Sequence, residues 1–233
     1  MPSPSRPASR PSTRAPSRPA RGSRRPVAKA EGSFHHGDLE WAILEAASQL
    51  LERDGPAGVS LRAAARLAGV SHNAPYRHFE SRESILAALA ARGFVELGDR
   101  MADAARGHRD ARQALTAIAE TYVAMATGRP HLFRLMFGQE VADKERHPAV
   151  REAGLRAFQV LLDTIADGQR AGVVRPGDPS ALALGHWAVV HGVASLYMDG
   201  LLADRAEERG GPSGLARLVS EQIRLGLEPR GGP

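Results

Sequence analysis

Ser60-Leu61-Arg62-Ala63-Ala64-Ala65-Arg66-Leu67-Ala68-Gly69-Val70-Ser71-His72-Asn73-Ala74-Pro75-Tyr76-Arg77-His78-Phe79 is the stretch from which the fold can be read. Ser60 is placed to cap a short helix whose inner face is Leu61, Ala64, Ala65 and Ala68, and Gly69 supplies a tight turn. Ser71 then opens a second short helix; the small alanines let the two helices cross closely, with Val70 and Phe79 as core. Pro75 falls where the backbone hydrogen-bond ladder should begin if Ser71 is the cap, which predicts an irregular first turn or a capping role shared with Asn73. Two short helices about a glycine turn make a helix-turn-helix, whose second member lies in the major groove of duplex DNA. That second member is rich in hydrogen-bonding side chains and poor in groups that want burial, so its outer face calls for a polar partner.

Upstream, Leu39, Ile43, Ala46, Ala47, Leu50 and Leu51 recur every three or four residues from Asp38, and Gly55-Pro56 ends the run: an amphipathic helix. Downstream, Ser81-Arg82-Glu83-Ser84 reads as the capped start of a longer helix with Ile85, Leu86, Leu89 and Phe94 inward. Further helical patterns cover 110–127, 130–137, 148–171, 179–202 and 213–226, and at Asp178-Pro179 the acid caps while proline takes the first helical position. Aromatic residues are only 5% of the chain, and helix formers dominate over β-branched runs. The expectation is an all-α protein: an N-terminal three-helix helix-turn-helix domain over 34–80 and a helical regulatory and dimerisation domain over 81–228. Residues 1–33 repeat Pro, Ser and Arg with no apolar period, so a disordered basic tail is expected there.

The net charge of +5 invites a DNA-binding reading of the whole surface, but its location argues otherwise. Arg6, Arg10, Arg14, Arg18, Arg21, Arg24, Arg25 and Lys29 against Glu31 give the tail +7; subtracting this from +5 leaves −2 for the rest. Nucleic-acid binding must therefore be argued from local placement of charge. Two readings of the tail stay open: an arm attracted to phosphates, or an inert solvated extension. The chain lacks cysteine, which removes disulfides, thiolate metal sites and cysteine nucleophiles. No apolar run approaching the roughly 20 residues of a membrane span is evident, and Arg24-Arg25 precede Pro26 rather than an apolar signal core. A cytoplasmic protein without a membrane partner is expected.

Ala68-Gly69-Val70-Ser71, then Tyr76-Arg77-His78-Phe79 and Ser81-Arg82-Glu83, resemble the head of the TetR/AcrR family of transcriptional regulators, with Phe34-His35-His36-Gly37-Asp38-Leu39 matching the run that opens its first helix. The resemblance implies that Tyr76 and His78 touch phosphates from the reading helix. It likewise makes Ser60 and Arg82 phosphate contacts at helix starts. Arg62, His72, Asn73 and Ala74 then face bases or nearby backbone, and Ser71 and Arg77 complete the expected DNA-binding residues. The chemistry agrees, since Arg forks onto guanine, Asn onto adenine, and a small Ala face suits a thymine methyl. For Tyr76 the alternative is an aromatic half-buried against the first helix.

In the second half, Tyr122-Val123-Ala124-Met125-Ala126, Pro130-His131-Leu132-Phe133-Arg134-Leu135-Met136-Phe137 and Trp187-Ala188-Val189-Val190-His191-Gly192 resemble the WHG type of C-terminal regulatory domain. This implies a homodimer built by helices near 179–202 and 213–226, a small-molecule effector held among the body helices, and repression of a palindromic double-stranded DNA operator that the effector releases. Leu182, Trp187, Val190, Val193, Leu196 and Tyr197, then Leu215, Leu218, Val219, Ile223 and Leu225, are more apolar surface than two peripheral helices of a monomer need. Pocket candidates are Tyr122, Met125, Phe133 and Met136, with Phe137, Phe158, Trp187 and His191; the competing reading of each is ordinary core, and for His191 a hydrogen bond to a backbone carbonyl or Trp187. Gly192 is expected to allow close helix approach at the dimer or the pocket wall.

Two other classes compete. An enzyme would need a reactive constellation, but His186 with His191, or His35 with His36, lie at spacings that do not share one helical face, and no phosphate loop or nucleophile elbow occurs. No catalytic residue, metal or cofactor is expected. A nonspecific architectural DNA binder would draw its affinity from the tail and show no sequence preference.

Overall fold

The chain begins its described structure with α1 (His36–Gly58), whose inner face Ile43, Ala47, Leu50 and Leu51 is buried. A computed structural model describes residues 36–141 and 146–227; the tail, Phe34, His35 and the side chain of Leu225 lie outside the described residues. At Gly55 the backbone swings to φ +70°, a conformation open to glycine, and Pro56 starts one more turn. Gly55-Pro56 therefore ends the regular run of α1 as expected, and only the short turn to Gly58 continues beyond the break. Val59 and Leu61 bury beyond it, bringing the chain into α2 (Leu61–Leu67).

Ser60, in extended backbone, accepts the amide of Ala63 at 3.1 Å and caps α2 as expected. Past its last turn the Gly69 amide donates to the Arg66 carbonyl and the Val70 amide to that of Ala65, with Gly69 at φ +69°. This Schellman arrangement satisfies carbonyls the helix end would leave bare.

The expected second short helix is reduced to a 3-10 turn, Ala74–Arg77, with Pro75 in its first positions. Proline has no amide to give the Ser71 carbonyl, so an α-helical ladder cannot start there. Neither expected cap acts: Asn73 makes no side-chain capping bond, and Ser71 offers its carbonyl to the Ala74 amide. Pro75 and Phe79 are buried and anchor the segment.

α3 (Arg82–Arg106) follows, closed by a reciprocal pair in which Ser81 accepts the Ser84 amide and Ser84 accepts that of Ser81, each at 3.1 Å. Its 25 residues span about 37 Å at 1.5 Å per residue. Its length lets it pack on α1 and also on α4 (Ala111–Gly128), α5 (Pro130–Phe137) and α6 (Pro148–Arg170). α4 lies centrally, touching α3, α5, α6, α7 (Pro179–Met198) and α9 (Pro212–Leu227), which is why Leu115, Ile118, Tyr122, Val123 and Met125 are all buried. One apolar core runs from α1 to α9.

α7 corrects two expectations. It stops at Met198 because Gly200 takes φ +79° and the Gly200 and Leu201 amides close onto the carbonyls of Tyr197 and Leu196; the short α8 (Ala203–Glu207) then follows. Its 20 residues, without one Asp, Glu, Lys or Arg, are also long and apolar enough by composition to cross a membrane, although no such run was expected. Only a third of that span is buried in the chain.

Candidate DNA-reading surface and apolar pocket

The segment after α2 presents Ser71, His72, Asn73, Tyr76 and Arg77 to solvent, with Ala74 half-buried beneath them. Tyr76 is 52% exposed. Arg62 and Arg66 project from α2 beside them and, with Val70, Ser71 and His72, line an open depression. Arg66 was missed in the sequence, although its place one turn after Arg62 was the available signal. Between Leu61 and Phe79 every charged residue is an arginine, so this face is locally cationic despite the negative balance of the chain beyond the tail.

Three expected phosphate contacts are otherwise engaged. The Ser60 hydroxyl caps α2. Arg82 donates to the carbonyls of Val59 at 3.1 Å and Pro56 at 2.6 Å, tying the first turn of α3 to the corner between α1 and α2. His78 has a side chain only 10% exposed, with Nδ1 3.4 Å from the Glu40 carboxylate on α1. The 3-10 turn rotates it inward, so His78 faces α1 while Tyr76 and Arg77 face out.

Within the body, α3, α4, α6 and α7 wall a cavity of about 410 Å³. Phe94, Leu97 and Met101 come from α3, Ile118 and Tyr122 from α4. Phe137 closes one end; Leu155, Phe158 and Leu161 face them from α6, and Leu184, His186, Trp187 and Val190 from α7. Of the eight expected residues, Tyr122, Phe137, Phe158 and Trp187 stand on the wall. Met125, Phe133 and Met136 do not; they are buried outside the lining, as the core reading held. α4 is covered on nearly every side, so periodicity could not say which side meets a void.

His191 also stands outside the lining. The Trp187 indole donates to the Tyr122 hydroxyl at 3.1 Å, and that hydroxyl lies 2.8 Å from His191 Nδ1, so Tyr122 rather than Trp187 or a carbonyl is the histidine's partner. The His191 ring stacks on Phe133, centroids 5.6 Å apart. Burial pushes the Tyr122 hydroxyl well above its ordinary pKa, against the opposing effect of the Trp187 bond, and pushes the His191 imidazole down. His191 is thus held as a neutral ring beside the hydroxyl, and its tautomer sets which of the two donates. The close approach expected of Gly192 is not made within the chain, since a Cβ there would meet nothing within 4 Å.

These two features lie in regions with known relatives. The family of bacterial regulatory proteins of the tetR type matches residues 43–89, and the tetracyclin repressor-like C-terminal domain matches residues 115–211. The chain belongs to the TetR family. An HTH-type transcriptional regulator of Mycobacterium bovis is 32% identical over 148 residues, 61% of this chain and 62% of the relative, so the match spans less than two thirds of that protein. A solved protein of unknown function from Rhodococcus sp. RHA1 is 36% identical with a TM-score of 0.74, covering 85% of this chain and all of the other. The Bacillus subtilis regulator FadR, solved with stearoyl-CoA, shares the fold at TM-score 0.66 but only 17% identity, with 81% of this TetR-family chain and 99% of FadR covered.

Proposed function

We propose that this TetR-family regulator is a ligand-responsive repressor, binding a palindromic operator as a homodimer and releasing it when a small molecule fills the body pocket. One observation carries the reading: α3 belongs to both sites. Its first turn holds the corner between α1 and α2 through Arg82, and twelve residues on its Phe94 begins the pocket wall, continued by Leu97 and Met101. A molecule that spreads this wall shifts the helix on which the head is seated. The division is functional: 34–80 reads DNA, 81–228 senses and pairs.

In the head, Asn73, His72, Ala74 and Ser71 address base edges or adjacent backbone, and Arg62, Arg66, Tyr76 and Arg77 address phosphates and guanine. His78 and Arg82 hold the reading segment in place. Dimerisation is supported by α7, whose Ala188, Val189 and Leu196 form an uncharged exposed stripe away from the pocket wall. Apolar character on both faces is what a helix needs when one side packs on its own chain and the other on a second copy, and this accounts for its membrane-like composition. The cytoplasm is the compartment this function requires.

Selection of bound duplexes from a random pool tests the whole reading. A two-fold symmetric consensus with half-sites about 10 base pairs apart is the expected result. Sequence-independent binding that is lost with residues 1–33 would mean an architectural DNA binder instead.

A further inference from the structure

Most polar atoms around the pocket are already occupied. Trp187 and Tyr122 are joined to each other and to His191, and none of the lining residues is Asp, Glu, Lys or Arg. His186 differs: it lines the same cavity, is 3% exposed, and neither ring nitrogen has a hydrogen-bond partner. A buried imidazole with both nitrogens unsatisfied is unfavourable, because water is lost and nothing replaces it. It is also at odds with the bonded state of its chain neighbour Trp187 and of Tyr122 on α4. Such a group is retained at no advantage to folding, since an aromatic hydrocarbon of similar size would fill the space.

We infer that His186 is the polar recognition point of the pocket, which takes an uncharged, predominantly apolar molecule presenting one hydroxyl, carbonyl or amide group to this imidazole. This rests on the body cavity being the effector site proposed above. A neutral imidazole offers one N–H donor and one bare nitrogen acceptor, so it meets a hydroxyl in either direction. Burial holds the ring in that neutral form, its pKa pushed down to about 4, so it supplies no positive charge for an anion. A carboxylate or phosphate drawn into these walls would find no ion partner, and its desolvation would go uncompensated. The volume of about 410 Å³ lies in the range of small-molecule sites and suits a bicyclic or medium-chain skeleton.

Calorimetric titration of the full chain with naphthalene, 1-naphthol and 1-naphthoate separates the terms, because the three share a skeleton and differ in polar group. 1-Naphthol is expected to bind about tenfold more tightly than naphthalene, the worth of one net hydrogen bond, and at least about tenfold more tightly than 1-naphthoate at pH 7.5. His186→Phe should erase the naphthol advantage and leave naphthalene affinity within about twofold; His186→Gln, which keeps a donor and an acceptor, should retain part of it and decides the matter if the Phe variant fails to fold. In the wild type, 1-naphthol should shift the ring-nitrogen NMR resonances of His186, and naphthalene should not. Equal affinities for all three probes, a preference for the carboxylate, or no binding up to 1 mM overturns the assignment. The DNA selection is scored separately: a His186-dependent naphthol preference in a protein without operator preference removes the repressor reading and leaves the pocket assignment standing.

Discussion

Asn73 and Tyr76 are three residues apart, both exposed, and are asked to do different things. Asn73→Ala removes a side chain able to bond an adenine edge, so it should relax preference at one base pair per half-site by roughly 1–3 kcal/mol. Tyr76→Phe removes a hydroxyl proposed to meet phosphate and should weaken binding to all sequences alike. Binding measured on a set of single-base operator variants distinguishes the two; a uniform loss for Asn73→Ala would contradict base reading. His186 supports a prediction on stability. Its folded pKa lies near 4 against an ordinary 6.5, so the unfolded chain takes up a proton first as pH falls. The stabilisation is complete above about pH 6.5 and is lost as pH drops toward 4, amounting at most to about 3 kcal/mol. His186→Phe should flatten that slope in thermal melts between pH 7 and 4.5, and should melt no lower than the wild type at pH 7.

Among elements, the junction of α4 and α5 controls how the head is held. Arg129 breaks the helix there, with φ −136° and ψ 63°, and its guanidinium reaches Glu52 at 3.0 Å, Ser48 at 2.9 Å and Glu96 at 2.8 Å. One side chain of the body thus ties α1 to α3. Ser48 is buried and the two glutamates are half-buried, so each bond counts for more than a fully exposed ion pair. Arg129→Met, which keeps the apolar stem, should lower unfolding free energy by roughly 2–4 kcal/mol in urea melts. It should also blunt the effect of any pocket ligand on DNA affinity; unchanged release by ligand would show that coupling runs through α3 alone. The reading segment carries a related lesson. Its polar composition was legible, but its conformation turned on Pro75, which converts an expected helix to a 3-10 turn and swings His78 inward.

For the molecule as a whole, the proposed dimer rests on the exposed apolar stripe of α7. Val189 is 43% exposed and Leu196 44%, on a face with no charge to keep it in solvent. Val189→Arg should leave the monomer folded, as judged by circular dichroism, yet move sedimentation from dimer to monomer and reduce operator affinity at least about tenfold, since half-site binding loses the second head. Gly192→Val meets nothing in its own chain and should act only through the partner, weakening the dimer without lowering monomer stability. A dimer of unchanged affinity in both variants would place the interface elsewhere.

The helical class, the helix-turn-helix order, most element ends and the exposed polar character of residues 71–77 followed from the sequence alone, because capping residues, proline, glycine and apolar spacing act over a few residues of chain. The resemblance to TetR regulators was carried by the same local signals. Which pocket candidates touch the cavity, the joining of Tyr122 to His191, the inward turn of His78 and the isolation of His186 were settled only by packing. Each depends on which side of a helix meets a void and which side meets another helix. A helix like α7, apolar almost all round, carries no periodic mark to tell those sides apart, so only the placement of its neighbours does.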